Sequence, residues 1–360
     1  MGSDAVMPLP LNVYEYESAA RLALPRLIYE MAAGGAEDEV TLRENRAAFD
    51  RWRFLPCMWR GIAAPQLRTT VLGQEISLPI LLGPVSTQRL LHPEGELASA
   101  RAARRAGTIF TLGACASTSI EDLAPEVGSW WFQLYLFPDR AIARDLVQRA
   151  TAAGASAIVV TIDSPVLGRH EANLRNGFTA LPQDIRFANI DPAALAVHDP
   201  RQSWKDLEWL ADCTSLPIVL KGILDPHDAR LAFSLGAKAI VVSNHGGRQL
   251  DSAVASLDAL PAIVEAVADR GEILIDSGFR RGADILKALA LGARAVLLGR
   301  AFLWGLAAGG EEGVFQVLEL LRAEIVRSLL LSGRADVAEV DRSLVVPAGL
   351  PSLGSSTAHN

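Results

Sequence analysis

The sequence predicts a (β/α)8 barrel, an α/β fold in which eight parallel strands close on themselves inside a ring of helices. Three observations carry this reading. Eight short, β-branched, nearly continuous apolar runs recur between residues 76 and 300, and Ala/Leu-rich segments of helical spacing lie between most of them. Polar and glycine residues collect where those runs end rather than inside them. Runs that are apolar throughout are strands buried on both faces, as in a parallel sheet. Regular alternation with helices makes the sheet parallel, and eight units imply closure. An open doubly wound sheet would use fewer strands and an early glycine-rich turn, which is missing here.

The elements follow in order. Residues 11–50 read as two helices broken at Gly34 and Gly35, where glycine supplies backbone angles a tight turn needs. Strands are expected at 76–84, 108–113, 130–137, 157–163, 216–223, 239–245, 272–278 and 295–300. Helices are expected at 94–106, 139–153, 226–235, 257–269 and 283–291. The polar, proline-containing stretch 176–206 reads as a long loop on the strand-end face, either a lid or a partner surface. An amphipathic helix at 311–332 follows the barrel, and the tail from 347 to 360 is expected to fray. The chain is therefore expected to be one domain, with N-terminal helices at 11–50, a barrel at 76–305 and a C-terminal helix at 311–335.

Composition narrows the function classes. Half of the 360 residues are hydrophobic and 21% are charged, which suits a large core rather than disorder. The net charge of −7, with no dense basic run, argues against nucleic acid as the main partner. Cys57, Cys115 and Cys213 are odd in number and far apart, so neither a disulfide framework nor a metal-ligand spacing is visible. Residues 1–10 lack the basic and apolar regions of a signal peptide, and no apolar run reaches membrane-spanning length. A metal-free protein of the cytoplasm is the expectation.

The strand ends carry the chemistry, because the active site of this fold lies at the C-terminal face of the barrel. Strand four ends in Thr161 and Asp163, strand five in Lys221, and strand six in Ser243-Asn244-His245 followed by Gly246-Gly247-Arg248. Strand seven ends in Asp276-Ser277-Gly278-Phe279-Arg280-Arg281-Gly282 and strand eight in Gly299-Arg300. Glycine backbone and guanidinium forks at these last two ends suit a phosphate; surface ion pairs are the plainer alternative. Lys221 closes an apolar strand and needs a partner: it could hold a flavin ring anionic, form a Schiff base, or pair with Asp163. His245 is the best general base, with Asp163 able to raise its basicity, and Arg248 could grip a carboxylate in a bidentate fork.

Ser243-Asn-His-Gly-Gly-Arg-Gln-Leu-Asp251 resembles the active-site signature of the FMN-dependent 2-hydroxy-acid oxidases and dehydrogenases. Leu24-Pro-Arg, Gly35-Ala-Glu-Asp, Glu44-Asn-Arg, His92-Pro-Glu-Gly-Glu, Gln133-Leu-Tyr135, Lys221-Gly, Asp276-Ser-Gly-Phe-Arg-Arg and Gly299-Arg300 are similar to that family in the same order. The resemblance spans residues 11 to 335. It implies FMN as cofactor, an (S)-2-hydroxy acid as substrate, O2 as acceptor with H2O2 as product, and a homo-oligomer, tetramer or octamer. His245 would then take the hydroxyl or α-proton while Asp163 orients and charges it. Arg248 would bind the carboxylate, Tyr135 would bond the substrate near the reacting carbon, and Lys221 would sit by flavin N1. Gln133, Thr161 and Ser243 would contact the ring, Pro84, Val85, Ser86 and Gly113 would lie along it, and the backbone at 85–86 would approach N5. Asp276 would bind the ribityl chain, with Ser277, Gly278, Arg280, Gly299 and Arg300 toward the phosphate.

Four positions depart from the family pattern, one of them Ser86, the small residue that would lie beside flavin N5. Met31 stands where the family has a tyrosine that helps hold the carboxylate, His170 where it has a second arginine, and Cys115 where it has a bulky aromatic. Methionine offers no hydroxyl donor. The changes predict a carboxylate resting chiefly on Arg248 and a substrate bulkier than glycolate or lactate, an aryl or long-chain 2-hydroxy acid. The remaining alternatives are a dehydrogenase passing electrons to a quinone or carrier protein, an FMN barrel with isomerase activity, a non-catalytic binder on the scaffold, and a phosphate-binding barrel without flavin.

Overall fold

Eight parallel strands close into a barrel in a computed structural model that describes residues 10–191 and 198–349. We number the strands in chain order: β1 (Trp52–Phe54), β2 (Thr69–Val71), β3 (Gln74–Ile76), β4 (Ile80–Leu82), β5 (Phe110–Gly113), β6 (Trp130–Leu134), β7 (Ile158–Thr161), β8 (Ile218–Ile223), β9 (Ala239–Val242), β10 (Glu272–Ile275), β11 (Ala295–Leu298) and β12 (Val345–Pro347). Strands β4 to β11 form the barrel, each paired in parallel with the next, and β11 returns to β4. That closure excludes the open sheet.

The period of two along each strand sorts side chains into two cores. Leu81, Ile109, Trp131, Val159, Val219, Val241, Leu274 and Leu297 pack together inside the barrel, with Val71 and Ile76 of the β2–β3 hairpin in the same cluster. Phe110, Phe132, Ile158, Ile240, Ile275 and Val296 join a second cluster that includes the helices. With the interior filled by side chains, a ligand can enter only from the strand-end face.

The helices are α1 (Val13–Ala23), α2 (Arg26–Ala33), α3 (Val40–Ala47), α4 (Gly95–Ala106), α5 (Ile120–Leu123), α6 (Arg140–Ala152), α7 (Glu171–Arg175), α8 (Trp204–Cys213), α9 (Pro226–Ser234), α10 (Ser256–Val267), α11 (Gly282–Ala290) and α12 (Arg300–Ser332). Four sequence expectations are corrected. Residues 11–50 hold three helices, not two, because Pro25 forces Leu24 into extended backbone and ends α1 early. The expected strand 76–84 is two elements: Ile76 closes an antiparallel hairpin against Thr69 through Leu72 (φ 48°) and Gly73 (φ 76°), and the barrel strand begins at Ile80. Leu-Gly is an unusual pair for such a turn, so its signal was faint. The expected loop 176–206 ends earlier than read, since Ser203 and Asp206 form a capping box that starts α8. The tail is not frayed from 347: β12 pairs with β1, leaving the residues beyond 349 outside the described chain.

The expected helix at 311–332 is the second half of α12, which breaks at Gly309 and Gly310. The expected absence of a leader in residues 1–10 falls almost wholly outside the described residues, as does 192–197 of the long loop. Among the described residues no helix is long and apolar enough to cross a membrane.

Candidate active site

The turn after β9 places the best base. His245, Gly246 and Gly247 have φ of 58°, 65° and 73°, three consecutive left-handed residues. Gly247 is obligatory on steric grounds as well, since a Cβ there would lie 2.7 Å from the Leu42 backbone nitrogen. The turn aims the His245 ring at Asp163, just past the end of β7, with Nδ1 2.8 Å from Oδ1. An ionised carboxylate only accepts, so Nδ1 carries the proton and Nε2 is left as the basic nitrogen. Burial is the largest influence on Asp163 and works to raise its pKa; the His245 and Lys221 charges outweigh it, and the net shift is downward. Its second oxygen, Oδ2, is buried without a hydrogen-bond partner among the described residues.

Lys221 is resolved by geometry. It lies at a bulge in β8, 4% exposed, with Nζ 3.0 Å from Asp276 Oδ2 and 2.9 Å from Ser243 Oγ. Asp276 is thus its direct partner, and Asp163 acts on it only through the field. Burial opposes the ammonium, but the two carboxylates prevail and hold Lys221 protonated, above the usual lysine value. Ser243 Oγ also receives the His245 backbone N–H at 3.0 Å, tying the base to the cation. Gln133 and Thr161, both buried, are joined at 3.0 Å between Nε2 and Oγ1.

Arg248, Arg280 and Arg300 converge on one cavity, and burial pushes each guanidinium below its ordinary value, Arg300 to about 9. The described residues offer them little negative charge. Arg248 Nη1 donates to the carbonyls of Met31 (3.0 Å) and Gly34 (2.9 Å), leaving Nε and Nη2 without a partner among the described residues. Arg300 donates to the carbonyls of Ala32, Gly246 and Gly34 at 2.7–2.9 Å. The carboxylate paired with the Arg280 guanidinium is Glu17, at 3.7 Å. Desolvated cations facing a cavity without matching carboxylates define an anion site.

The cavity is about 470 Å³, within the range of small-molecule sites. Its lining unites most of the residues singled out in the sequence: Met31, Pro84, Val85, Ser86, Cys115, Gln133, Tyr135, Thr161 and His170 with Lys221, His245, Arg248, Asp276, Ser277, Gly278, Arg280, Gly299 and Arg300. Gly113, Asp163 and Ser243 stand behind this wall; a Cβ on Gly113 would meet Gln133 Oε1 at 3.3 Å. The departures take defined places. Met31 packs partly against the core while its carbonyl holds Arg248. Cys115 is buried, its thiol pushed up to about 12 by desolvation despite a bond with Ser86. His170 Nε2 lies 2.7 Å from the Arg248 carbonyl and must donate to it, and burial, then the Arg248 charge, lower its pKa to about 4. It is a neutral prop rather than a second cation.

Sequence reasoning missed the outer wall. Leu167, Phe178, Leu181, Phe187, His198 and Gln249 line the same cavity. Five of them belong to the segment after β7, where no periodicity marks which side chains fold inward; the His198 ring stands edge-on to Tyr135 at 5.7 Å. Gln249 was within sight, one residue past Arg248 in the motif.

The donor set fits FMN. Lys221 is a fixed cation, the arginines await an anion, and at Gly299, where the last barrel strand ends, a Cβ would meet nothing within 4 Å, so the backbone there is open to a ligand. Comparisons with known proteins agree. The model of a family described as FMN-dependent dehydrogenase matches residues 20–347. An L-lactate oxidase of Nostoc sp. is 47% identical over 93% of this chain and 98% of its own length. The human 2-hydroxyacid oxidase 1 is 44% identical over 94% of this chain and 97% of its own. The crystal structure of mandelate oxidase superposes with a TM-score of 0.90 at 44% identity, covering 94% of this chain and 98% of that one. Matching along nearly the whole chain, in sequence and in the closed barrel that carries the site, places this protein in the FMN-dependent dehydrogenase family.

Proposed function

We propose that this protein oxidises an (S)-2-hydroxy acid to the 2-oxo acid with FMN, passing the two electrons to O2 to give H2O2. The observation that carries the reading is one cavity holding a carboxylate-oriented base, His245, and an arginine, Arg248, two of whose nitrogens have no partner among the described residues. Arg248 would fix the substrate carboxylate in a fork. His245 Nε2 would take the substrate proton, and Asp163 would stabilise the imidazolium so formed. Tyr135, its hydroxyl proton held firmly by burial, would donate to the substrate near the reacting carbon. FMN supplies the two-electron acceptor. Lys221, between Asp276 and Ser243, would hold positive charge where the reduced ring becomes anionic, and Gln133, Thr161, Pro84, Val85, Ser86 and Gly113 would frame that ring. Asp276 would turn toward the ribityl chain, and Ser277, Gly278, Arg280, Gly299 and Arg300 would take the phosphate.

The substrate is bulkier than glycolate, an aryl or long-chain acid. Cys115 leaves room, Met31 and neutral His170 add no donor or charge for the carboxylate, and Phe178, Leu181 and Phe187 provide apolar wall. We also propose a cytoplasmic homotetramer. Anaerobic reduction of the flavin across a panel of 2-hydroxy acids, followed by admission of air, tests the reading. Mandelate and long-chain acids should bleach the flavin faster than glycolate, and air should restore it with one H2O2 per turnover. Bleaching without re-oxidation by air points to a dehydrogenase using a quinone or carrier; no bleaching by any 2-hydroxy acid overturns the proposal.

A further inference from the structure

We propose that Asn45, on α3, is a positioning residue for the base, acting through a reciprocal amide pair with Asn244. Both side chains are buried, at 2% and 4% exposure. Asn45 Nδ2 donates to Asn244 Oδ1 at 2.8 Å, and Asn244 Nδ2 returns the bond to Asn45 Oδ1 at 2.7 Å. The orientation is fixed, not arbitrary: Asn244 Oδ1 also accepts from the Gly247 N–H at 3.1 Å, and its Nδ2 donates to the Val254 carbonyl at 3.0 Å. The Asn244 side chain therefore closes the turn that spans His245, Gly246 and Gly247, and Asn45 is what holds it square.

The turn needs holding. His245 bears a side chain yet sits at φ 58°, a conformation seldom adopted without surrounding constraint. If it relaxes, the ring leaves Asp163 and Nε2 no longer faces the substrate. Helix α3 is well placed to impose the constraint. Asp251, at the end of the same motif, accepts the N–H groups of Thr41 (2.8 Å) and Val40 (3.2 Å) at the start of α3. At its other end Arg46 donates to the Gly278 carbonyl and to Asp284 Oδ2 at 2.7 Å, and Gly278 packs so tightly that a Cβ would lie 2.5 Å from the Asn45 carbonyl. One short helix thus braces both the base turn after β9 and the anion loop after β10, with Asn45 at the point where it grips the base.

The inference rests on the proposed role of His245, and the experiment separates the two. Asn45→Asp is isosteric but replaces the Nδ2 donor with oxygen. Ionised, that oxygen repels Asn244 Oδ1; protonated, its O–H donates there and restores the pair, and burial raises the pH at which this occurs. In the holoenzyme, FMN per chain, Tm, the kcat and KM for flavin reduction, and the hydrogen-bonded Nδ1–H proton resonance of His245 are measured from pH 6 to pH 9, each relative to wild type. At high pH the reduction rate per bound FMN should fall about 10- to 100-fold with KM nearly unchanged, and the Nδ1–H resonance should be lost. Both should recover toward pH 6. Asn45→Ala should show the rate loss at every pH, which keeps the test open if the charged variant folds poorly. A rate per bound FMN equal to wild type in both variants overturns the proposal, whatever happens to Tm or FMN content. So does an Asn45→Asp deficit that does not change with pH. Failure of wild type to be reduced by any 2-hydroxy acid would instead remove the functional reading, leaving the resonance to report on the brace alone.

Discussion

Replacing Arg248 gives the sharpest test of the carboxylate clamp, because its donors can be counted. Nη1 is spent on the Met31 and Gly34 carbonyls, so the fork available to a substrate is Nε with Nη2. Each charge-assisted hydrogen bond contributes about 1.5–3 kcal/mol. Arg248→Met removes both, a loss of about 3–6 kcal/mol, which corresponds to a roughly 100- to 20,000-fold fall in kcat/KM. Arg248→Lys keeps the charge but offers a point donor rather than a fork, so one bond is lost and the fall should be about 10- to 100-fold. The Met31 carbonyl is orphaned in Arg248→Met, whereas the Gly34 carbonyl keeps Arg300 Nη2 at 2.7 Å. The lesion is therefore local, and FMN should stay bound. Steady-state kinetics are run on a 2-hydroxy acid and on its carboxamide, which carries no anion. The acid should lose in the order wild type, Lys, Met while the carboxamide changes little. An equal loss for acid and carboxamide, or a lysine variant as active as wild type, would refute the assignment.

Two further outcomes follow from the wall of the cavity. Cys115→Trp fills space in a buried wall and should cut kcat/KM for aryl acids about 10- to 100-fold through overpacking while sparing glycolate; unchanged turnover of mandelate would remove Cys115 from the size argument. His170 resists protonation down to about pH 4 when folded but takes a proton near 6.5 when unfolded, so the unfolded chain binds that proton first as pH falls. Stability should decline from about pH 6.5 to about pH 4 and flatten below, by at most about 3 kcal/mol unscreened and nearer half that for a ring partly open to cavity water. The decline should be shallower in His170→Gln when Tm is followed against pH, and parallel curves would count against it.

The barrel was legible because burial on both faces writes a continuous apolar run, and the runs at 110–113, 130–134 and 158–161 need no distant partner to declare themselves. The hairpin at 69–76 was not, because Val71 and Ile76 gain meaning only once they plug the barrel's closed end. Chemistry followed the same division. Residue types at strand ends announced a base, a carboxylate and three guanidinium groups, and the motif 243–251 tied them to a family. Lys221 shows where this stops: its sequence context allowed Asp163 as partner, and only the relative placement of two strand ends made Asp276 the closer carboxylate.

The sequence by itself determined the fold class and the kinds of group at the site, since apolar periodicity and local motifs are properties of neighbours along the chain. The tertiary structure decided which of those groups meet. It brought α3 under the base turn, gave Arg248 two backbone carbonyls instead of a carboxylate, made His170 a neutral prop, and folded Phe178, Leu181 and Phe187 over the cavity. Such contacts join residues far apart in the chain, and their energies depend on distance and desolvation, which sequence order does not encode.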